Sequence, residues 1–515
     1  MLSDRQSPLQ KESEEASYQQ ILKASFTIGG SSVINIILRV IRTKFIAVLL
    51  GPPGLGLMGI YTSITSTMGT LAGMGIANSG VRQVAEAVGT KDQGRITLAI
   101  TTLRRTTYVL GVLGGILLLI SAYPISRVTF DDTLHVGALA VLSITVLLET
   151  ISGGQLALVQ GMRRIVDLAK INVLGTFFGT ALGIPLIYLF HEEGIVPWLL
   201  VLSLMTVLTS WRYARCIEVL KGNVNWTDIR KEARALLRLG LVFMASGLMS
   251  TAVAYLIRVM IVRRLGMEAV GQYQAAWALS GLYVGFVLGA MGTDFYPRLT
   301  AVVNDNSAWN RLVNEQAEVA LLLAVPGILA TIIFAPIVIK VFYSGNFGLA
   351  MDLLRWQMLG VLLKVAAFPI GYILLAKGAG KQYMLTETLT HLVSVVSSWL
   401  CLKWFGLVGV GVAFFVMYVF CWLVVFIVVR RSFGFAWSPS NCRLAIVIVP
   451  AVCLTFLTPF WLSQIWTAVI GGFLTFLVGL LFMKRLFKLI DHTRLPIPLK
   501  TIACWLWVLS SHAGS

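Results

Sequence analysis

About fourteen stretches of this chain stay apolar for roughly 20 residues, the length that carries a helix through a bilayer core about 30 Å thick. They fall near residues 24–49, 55–79, 107–126, 134–158, 168–190, 195–213, 239–262, 270–296, 317–342, 353–376, 383–403, 407–429, 444–463 and 465–483. A backbone in hydrocarbon must pair its own N–H and C=O groups, so such segments fold as helices. Composition supports this: 57% of the 515 residues are hydrophobic and 12% charged, whereas a soluble domain carries about 25% charged residues. A cytosolic globular protein is excluded, and the expected fold class is an all-α polytopic membrane protein of about fourteen transmembrane helices. Gly51-Pro52-Pro53-Gly54 and the stretch from Gly194 to Pro197 mark two of the turns. A last apolar stretch, Ile502 to Leu509, is too short to cross and reads as interfacial.

The formal net charge of +18, from 41 Lys+Arg against 23 Asp+Glu, would suggest a nucleic-acid partner in a soluble chain. In a membrane protein basic residues concentrate on cytoplasmic loops instead, so no nucleic acid is expected. Loops after the even-numbered spans carry 22 of the 41, including Arg82, Arg104, Arg163, Arg212, Arg215 and Arg298, while the opposite loops carry six. The even loops and both termini are therefore expected in the cytoplasm. Five basic residues lie within spans: Arg39, Arg42, Lys44, Arg258 and Lys364. Against them stand the intramembrane carboxylate Glu149 and, near the cytoplasmic end of span 8, Asp294.

The chain also repeats itself. Leu50 to Gly56, at the start of span 2, recurs as Leu265 to Gly271 at the start of span 8, an offset of 215. Gln160 to Arg164 parallels Lys377 to Lys381 at a similar offset. Six spans per repeat preserve orientation, giving two parallel six-helix repeats about an axis along the membrane normal, followed by two C-terminal helices. The expected division is a polar cytoplasmic tail (1–20), an N-lobe of spans 1–6 (21–221), an amphipathic cytoplasmic linker helix (222–237), a C-lobe of spans 7–12 (238–431), spans 13–14 (432–485), and a cytoplasmic or interfacial tail (486–515). Glu149 and Lys364 are 215 apart, and Arg42 and Arg258 are 216 apart, so each pair should sit at pseudo-equivalent depths.

A charge at mid-membrane costs about 2.5 to 3.5 kcal/mol on insertion scales and generally faces a cavity or a partner. Arg39 and Arg42, three apart on one helix face, are read with Arg258 as lining a cavity that binds an anionic group; guanidinium forks favour a phosphate, here a diphosphate. Lys44 reads as snorkelling to the interface. Glu149 and Lys364 read as a lobe-coupling ion pair or ion site. Arg82, Arg298 and Asp294 are candidates for a cytoplasmic gate or headgroup contact. His391 is expected to be a satisfied core residue. The six cysteines show no C-x-x-C pair and suggest neither a disulfide framework nor a metal site. With no Walker loop, H-E-x-x-H or G-x-S-x-G, an enzyme is not expected; no catalytic residue and no cofactor is assigned, and transport is the default.

Leu49 to Leu57, Leu71 to Ile76, and Asp352 to Gly360 with Lys364 and Gly371-Tyr372 resemble the O-antigen and enterobacterial-common-antigen (lipid III) flippases of the multidrug/oligosaccharidyl-lipid/polysaccharide (MOP) exporter superfamily. The resemblance runs over residues 20–430 and implies two six-helix lobes in the bacterial inner membrane. It also implies alternating access that moves an undecaprenyl-pyrophosphate-linked oligosaccharide from the cytoplasmic to the periplasmic leaflet. Membrane lipids, a polysaccharide polymerase and a chain-length regulator are the implied partners. Relatives often carry Asp after the Gly of Trp-Gln-x-x-Gly, where this chain has Val361, so no ion-coupling role carries over to that position. A lipid II flippase, a cation-coupled drug exporter and a non-transporting assembly scaffold are the competing readings; the basic first span disfavours a cationic cargo.

Overall fold

The computed structural model describes residues 8–217 and 225–489. All regular structure among them is helical: α1 (Pro8–Gly73), α2 (Ile76–Gly89), α3 (Gln93–Phe130), α4 (Val136–Gly161), α5 (Ile165–Phe190), α6 (Ile195–Ala214), α7 (Trp226–Ala301), α8 (Asn306–Ile333), α9 (Ala335–Phe342), α10 (Gly348–Ala376), α11 (Gly380–Phe433), α12 (Pro439–Trp461) and α13 (Gln464–Leu489). Nine helical stretches among the described residues are long and apolar enough to cross a membrane, and several hold more than one expected span. The chain is a multi-pass membrane protein. Residues 1–7 and 490–515 of the tails, the latter including the Ile502 to Leu509 stretch, and Lys221 lie outside the described residues.

The long helices are not straight. At about 1.5 Å per residue, α11 would reach about 80 Å, far beyond one bilayer. It breaks at Gly406 (φ 59°, ψ −144°). Just beyond, a Cβ on Gly409 would lie 2.0 Å from the carbonyl oxygen of Cys401, eight residues earlier, so the chain reverses there. The α5–α6 connection does the same. His191 takes φ 51° and ψ −125°, and a Cβ on Gly194 would lie 2.5 Å from the Leu186 oxygen. These three positions, 186, 191 and 194, map onto 401, 406 and 409 with an offset of 215. α1 and α7 break at Gly51 (φ 65°) and Gly266 (φ 83°), again 215 apart. Arg163 (φ 56°) and Gly378 (φ 69°) repeat the spacing once more. The two parallel repeats are thus written in the backbone as well as in the sequence.

Capping repeats too. The Asp92 carboxylate accepts the Gly94 N–H at the start of α3 (2.8 Å). Asp305 accepts Ser307 and Ala308 at the start of α8 (2.9 and 3.1 Å). These backbone donors hold the Asp305 carboxyl below the usual carboxylate range.

The chain divides into two compact units, Met1–Gly271 with Phe342–Ser344, and Gln272–Val341 with Gly345–Ser515. The first is centred on Ile100, Leu103, Leu158, Ile171 and Leu236, where α2, α3, α4, α5 and the start of α7 meet. The second includes a core of Phe295, Trp309, Val313, Ile370, Leu374 and Phe435. The division falls within α7 and leaves span 7 in the first unit. The expected linker helix is no separate element: α7 runs from Trp226 directly into span 7, because no proline interrupts it and the apolar face of Ile229 and Leu236 continues onto the core. Arg230, Lys231 and Arg234 stay exposed.

Candidate functional site

The two repeated glycine turns meet each other within the first unit. A Cβ on Gly56 would lie 2.4 Å from the Met267 oxygen, and one on Gly271 would lie 1.8 Å from the Pro52 oxygen. Gly56 and Gly271 are equivalent in the repeat, as are Pro52 and Met267, so the contact is reciprocal, as about a local twofold axis. Only glycine permits helix and backbone to approach so closely.

The basic residues descend from these turns. Arg42 precedes Gly51 by nine residues and Arg258 precedes Gly266 by eight, so both stand about 12 to 14 Å along their helices from turns that touch. Arg42 lies over the Trp198 ring at 5.3 Å, and its Nε is buried with no hydrogen-bond partner. Arg39 is exposed on the same helix and close enough for its charge to act on Arg42. Arg258 is buried and donates from Nη1 to the Ala254 oxygen at 2.8 Å. The Lys44 ammonium donates to the Tyr343 carbonyl.

The other expected residues each have their own surroundings. Glu149 is an exposed side chain on α4, its Oε2 3.7 Å from where a Cβ on Gly69 would sit. Lys364, in the second unit, stands over the Tyr418 ring at 5.5 Å. His391 is 3.6 Å from Glu387. Arg82 forms an exposed i,i+4 pair with Glu86 at 2.7 Å. Arg298 is exposed, and the side chain of Asp294 lies outside the described residues. In the Trp-Gln-x-x-Gly segment Gln357 is fully buried with neither amide atom hydrogen-bonded. Gly360 lets α11 approach, since a Cβ there would lie 2.4 Å from the Phe414 ring. Val361 is wholly buried, so a carboxylate at that position would be enclosed by packing.

One cluster carries no sequence signal. The turn between α3 and α4 grips α7: Arg263 donates to the oxygens of Val128 (2.9 Å) and Arg127 (2.5 Å) and pairs with Asp131 (3.0 Å). The Tyr255 and Thr129 hydroxyls are 2.6 Å apart. The same turn holds span 2, where the Tyr61 hydroxyl bonds His135 Nδ1 (2.8 Å) and the imidazole stacks on Phe130 at 3.8 Å. These residues are up to 136 positions apart, and only the fold brings them together.

The helical architecture and the internal repeat define a class: multi-pass membrane proteins built from two like sets of helices. The fold matches the lipid II flippase MurJ in its inward closed conformation (TM-score 0.70, 14% identity, 91% of this chain and 99% of that one). It also matches an inward-facing multidrug-resistance MATE transporter of the MOP superfamily (TM-score 0.64, 17% identity, 80% and 95% covered). Within that class, the profile of the family described as "Polysaccharide biosynthesis protein" matches residues 45–351, and the chain belongs to that family. In sequence it is similar to the lipid III flippase of Escherichia coli K12, with 24% identity over 412 residues, 78% of this chain and 95% of that one.

Proposed function

We propose that this chain is a flippase for an undecaprenyl-pyrophosphate-linked oligosaccharide, an O-antigen or lipid III-like unit, in the bacterial inner membrane. Cargo would pass from the cytoplasmic to the periplasmic leaflet for surface polysaccharide assembly. The carrying observation is Arg42: a guanidinium with a buried, unpartnered Nε beside the like charge of Arg39 is a site that an anion would complete. Arg258, one residue from repeat equivalence with Arg42, supplies the matching cation from the other repeat. A diphosphate carries about two negative charges, which such cations offset in a low-dielectric interior. An inside-negative potential favours its outward passage by about 2.3 kcal/mol per charge per 100 mV.

In this reading the N-lobe comprises spans 1–6 and the C-lobe spans 7–12, with both termini cytoplasmic. Glu149 and Lys364 distinguish the two lobe arrangements, and Arg82, Arg298 and Asp294 meet the headgroup at the cytoplasmic entrance. A polysaccharide polymerase and a chain-length regulator receive the product. Charge reversal tests the site. Arg39, Arg42 and Arg258 are each changed to Glu, and purified protein at matched levels is assayed in vesicles for movement of a polyprenyl-diphosphate oligosaccharide. Arg42→Glu should lower the rate at least tenfold, the equivalent of one lost charge-assisted hydrogen bond. Unchanged movement in all three sinks the diphosphate role, and movement of lipid II in preference to the oligosaccharide favours the peptidoglycan alternative.

A further inference from the structure

A second basic site lies within the first unit, away from α1. α3, α4 and α6 enclose a cavity of about 150 Å³ lined by Arg104, Arg215, Trp211, Tyr108, Thr107 and Gln155 among others. No carboxylate lines it. Arg104 is fixed by donating from Nη2 to the Ala214 oxygen at the end of α6 (2.9 Å). Arg215 is held over the Trp211 ring at 4.8 Å. Gln155 ties α4 to α6 through the Ser210 hydroxyl. Two guanidinium groups therefore line one pocket, and no carboxylate of the protein lines it with them. At the rim, Tyr108 is 50% exposed and Trp211 48% exposed, an aromatic pair of the kind that sits at the level of lipid headgroups.

Depth agrees with chemistry. α3 has 38 residues, about 57 Å of helix against a core about 30 Å thick, and Arg104 lies in its N-terminal third, ahead of the apolar run 107–126. Arg215 caps the end of α6. One water needs about 10 to 15 Å³ of such volume, so the cavity has room for a group the size of a phosphate. Basic pockets between helices at the cytoplasmic face are suited to anionic headgroups.

We propose that this cavity binds the phosphate of an anionic glycerophospholipid, separately from the Arg39, Arg42 and Arg258 site. The leaflet, cytoplasmic, rests on the orientation proposed above; the anion chemistry does not.

The test measures lipid retention rather than transport, so its failure is distinct from failure of the flippase reading. The full chain is purified in detergent and examined by native mass spectrometry with added phosphatidylglycerol or phosphatidylcholine. The wild type should retain phosphatidylglycerol in preference to phosphatidylcholine. The double change Arg104→Gln with Arg215→Gln should weaken retention about tenfold, the loss of one charge-assisted hydrogen bond. Arg215→Gln alone, at an exposed side chain that can be lost without unfolding, should weaken it severalfold, and Arg212→Gln, which does not line the cavity, should leave it unchanged. Equal retention by wild type and the Arg215→Gln chain overturns the proposal, as does equal binding of phosphatidylcholine. Displacement by millimolar inorganic phosphate would reassign the cavity to free phosphate, and displacement by stoichiometric undecaprenyl phosphate would reassign it to the carrier lipid; either outcome overturns the phospholipid assignment.

Discussion

Arg42 and Lys44 stand two residues apart on α1 and end in different surroundings. Lys44 has found a carbonyl, while the Arg42 Nε has found none. A buried donor without an acceptor costs about 1 to 3 kcal/mol, so a protein retains one where something else completes it. His135 is the opposite case, a satisfied polar residue whose setting fixes its charge. Burial against Phe130 pushes its imidazole below the ordinary value of 6.5, with Asp132 pulling the other way. The folded state therefore binds this proton more weakly than the unfolded state does. The stability that His135 contributes is complete above about pH 6.5 and is lost as pH falls through the folded-state value. Thermal unfolding of the wild type should lose more stability between pH 7 and pH 5 than that of His135→Gln, whose curve should be flatter. Parallel curves would show that the Tyr61–His135 contact does not titrate with folding.

At the scale of elements, the last two helices are held by a buried polar seam on α8. The Glu318 carboxylate accepts Arg485 Nε of α13 (2.9 Å) and the Ser440 hydroxyl of α12 (2.8 Å). Asn314, one turn earlier, donates to Ala436 (3.0 Å) and accepts from Ser438 (2.8 Å). Arg485 carries no sequence signal of this role, because its partner is 167 residues away and helix–helix ion pairs leave no local pattern. What was legible is what has a period or a stop signal. Apolar length marks the helices long enough to cross a membrane, and the 215-residue spacing marks the turns at Gly51 and Gly266. Amphipathicity over 222–237 reports a face and not where a helix ends, and α7 continues from it into span 7. For the candidate site, intramembrane position singles out Arg42 and Arg258, whereas Arg263 carries no local signal because its partners lie up to 136 residues away. Removing the Glu318 carboxylate leaves the guanidinium short of its partner. Glu318→Ala should lower stability by about 1 to 3 kcal/mol. A double-mutant cycle with Arg485→Ala should show coupling of at least about 0.5 kcal/mol. Strict additivity would mean that the seam contributes nothing to docking α12 and α13.

For the molecule as a whole, the reciprocal turn contact is the point where the two repeats bear on each other symmetrically within one compact unit. Gly56 approaches Met267 as Gly271 approaches Pro52, so the same perturbation on either side should have the same consequence. A methyl group at either position overlaps a carbonyl oxygen of the opposite helix, and backbone cannot yield as a side-chain tip can. Gly56→Ala and Gly271→Ala should each cost about 1 to 3 kcal/mol by overpacking. Together they should cost clearly less than the sum, because turns already forced apart present no second clash. Gly73→Ala, with open space around its Cβ, serves as the neutral control. If separation of these turns is also how the interior opens on this side, a cysteine replacing the buried Ile46, between Arg42 and Gly51, reports it. In a chain with the native cysteines replaced by serine, Gly56→Ala and Gly271→Ala should both raise labelling of that cysteine by an impermeant maleimide, and to a similar extent. A large effect from one glycine and none from the other would break the symmetry argument, and unchanged stability and labelling in both would remove the contact from any role in gating.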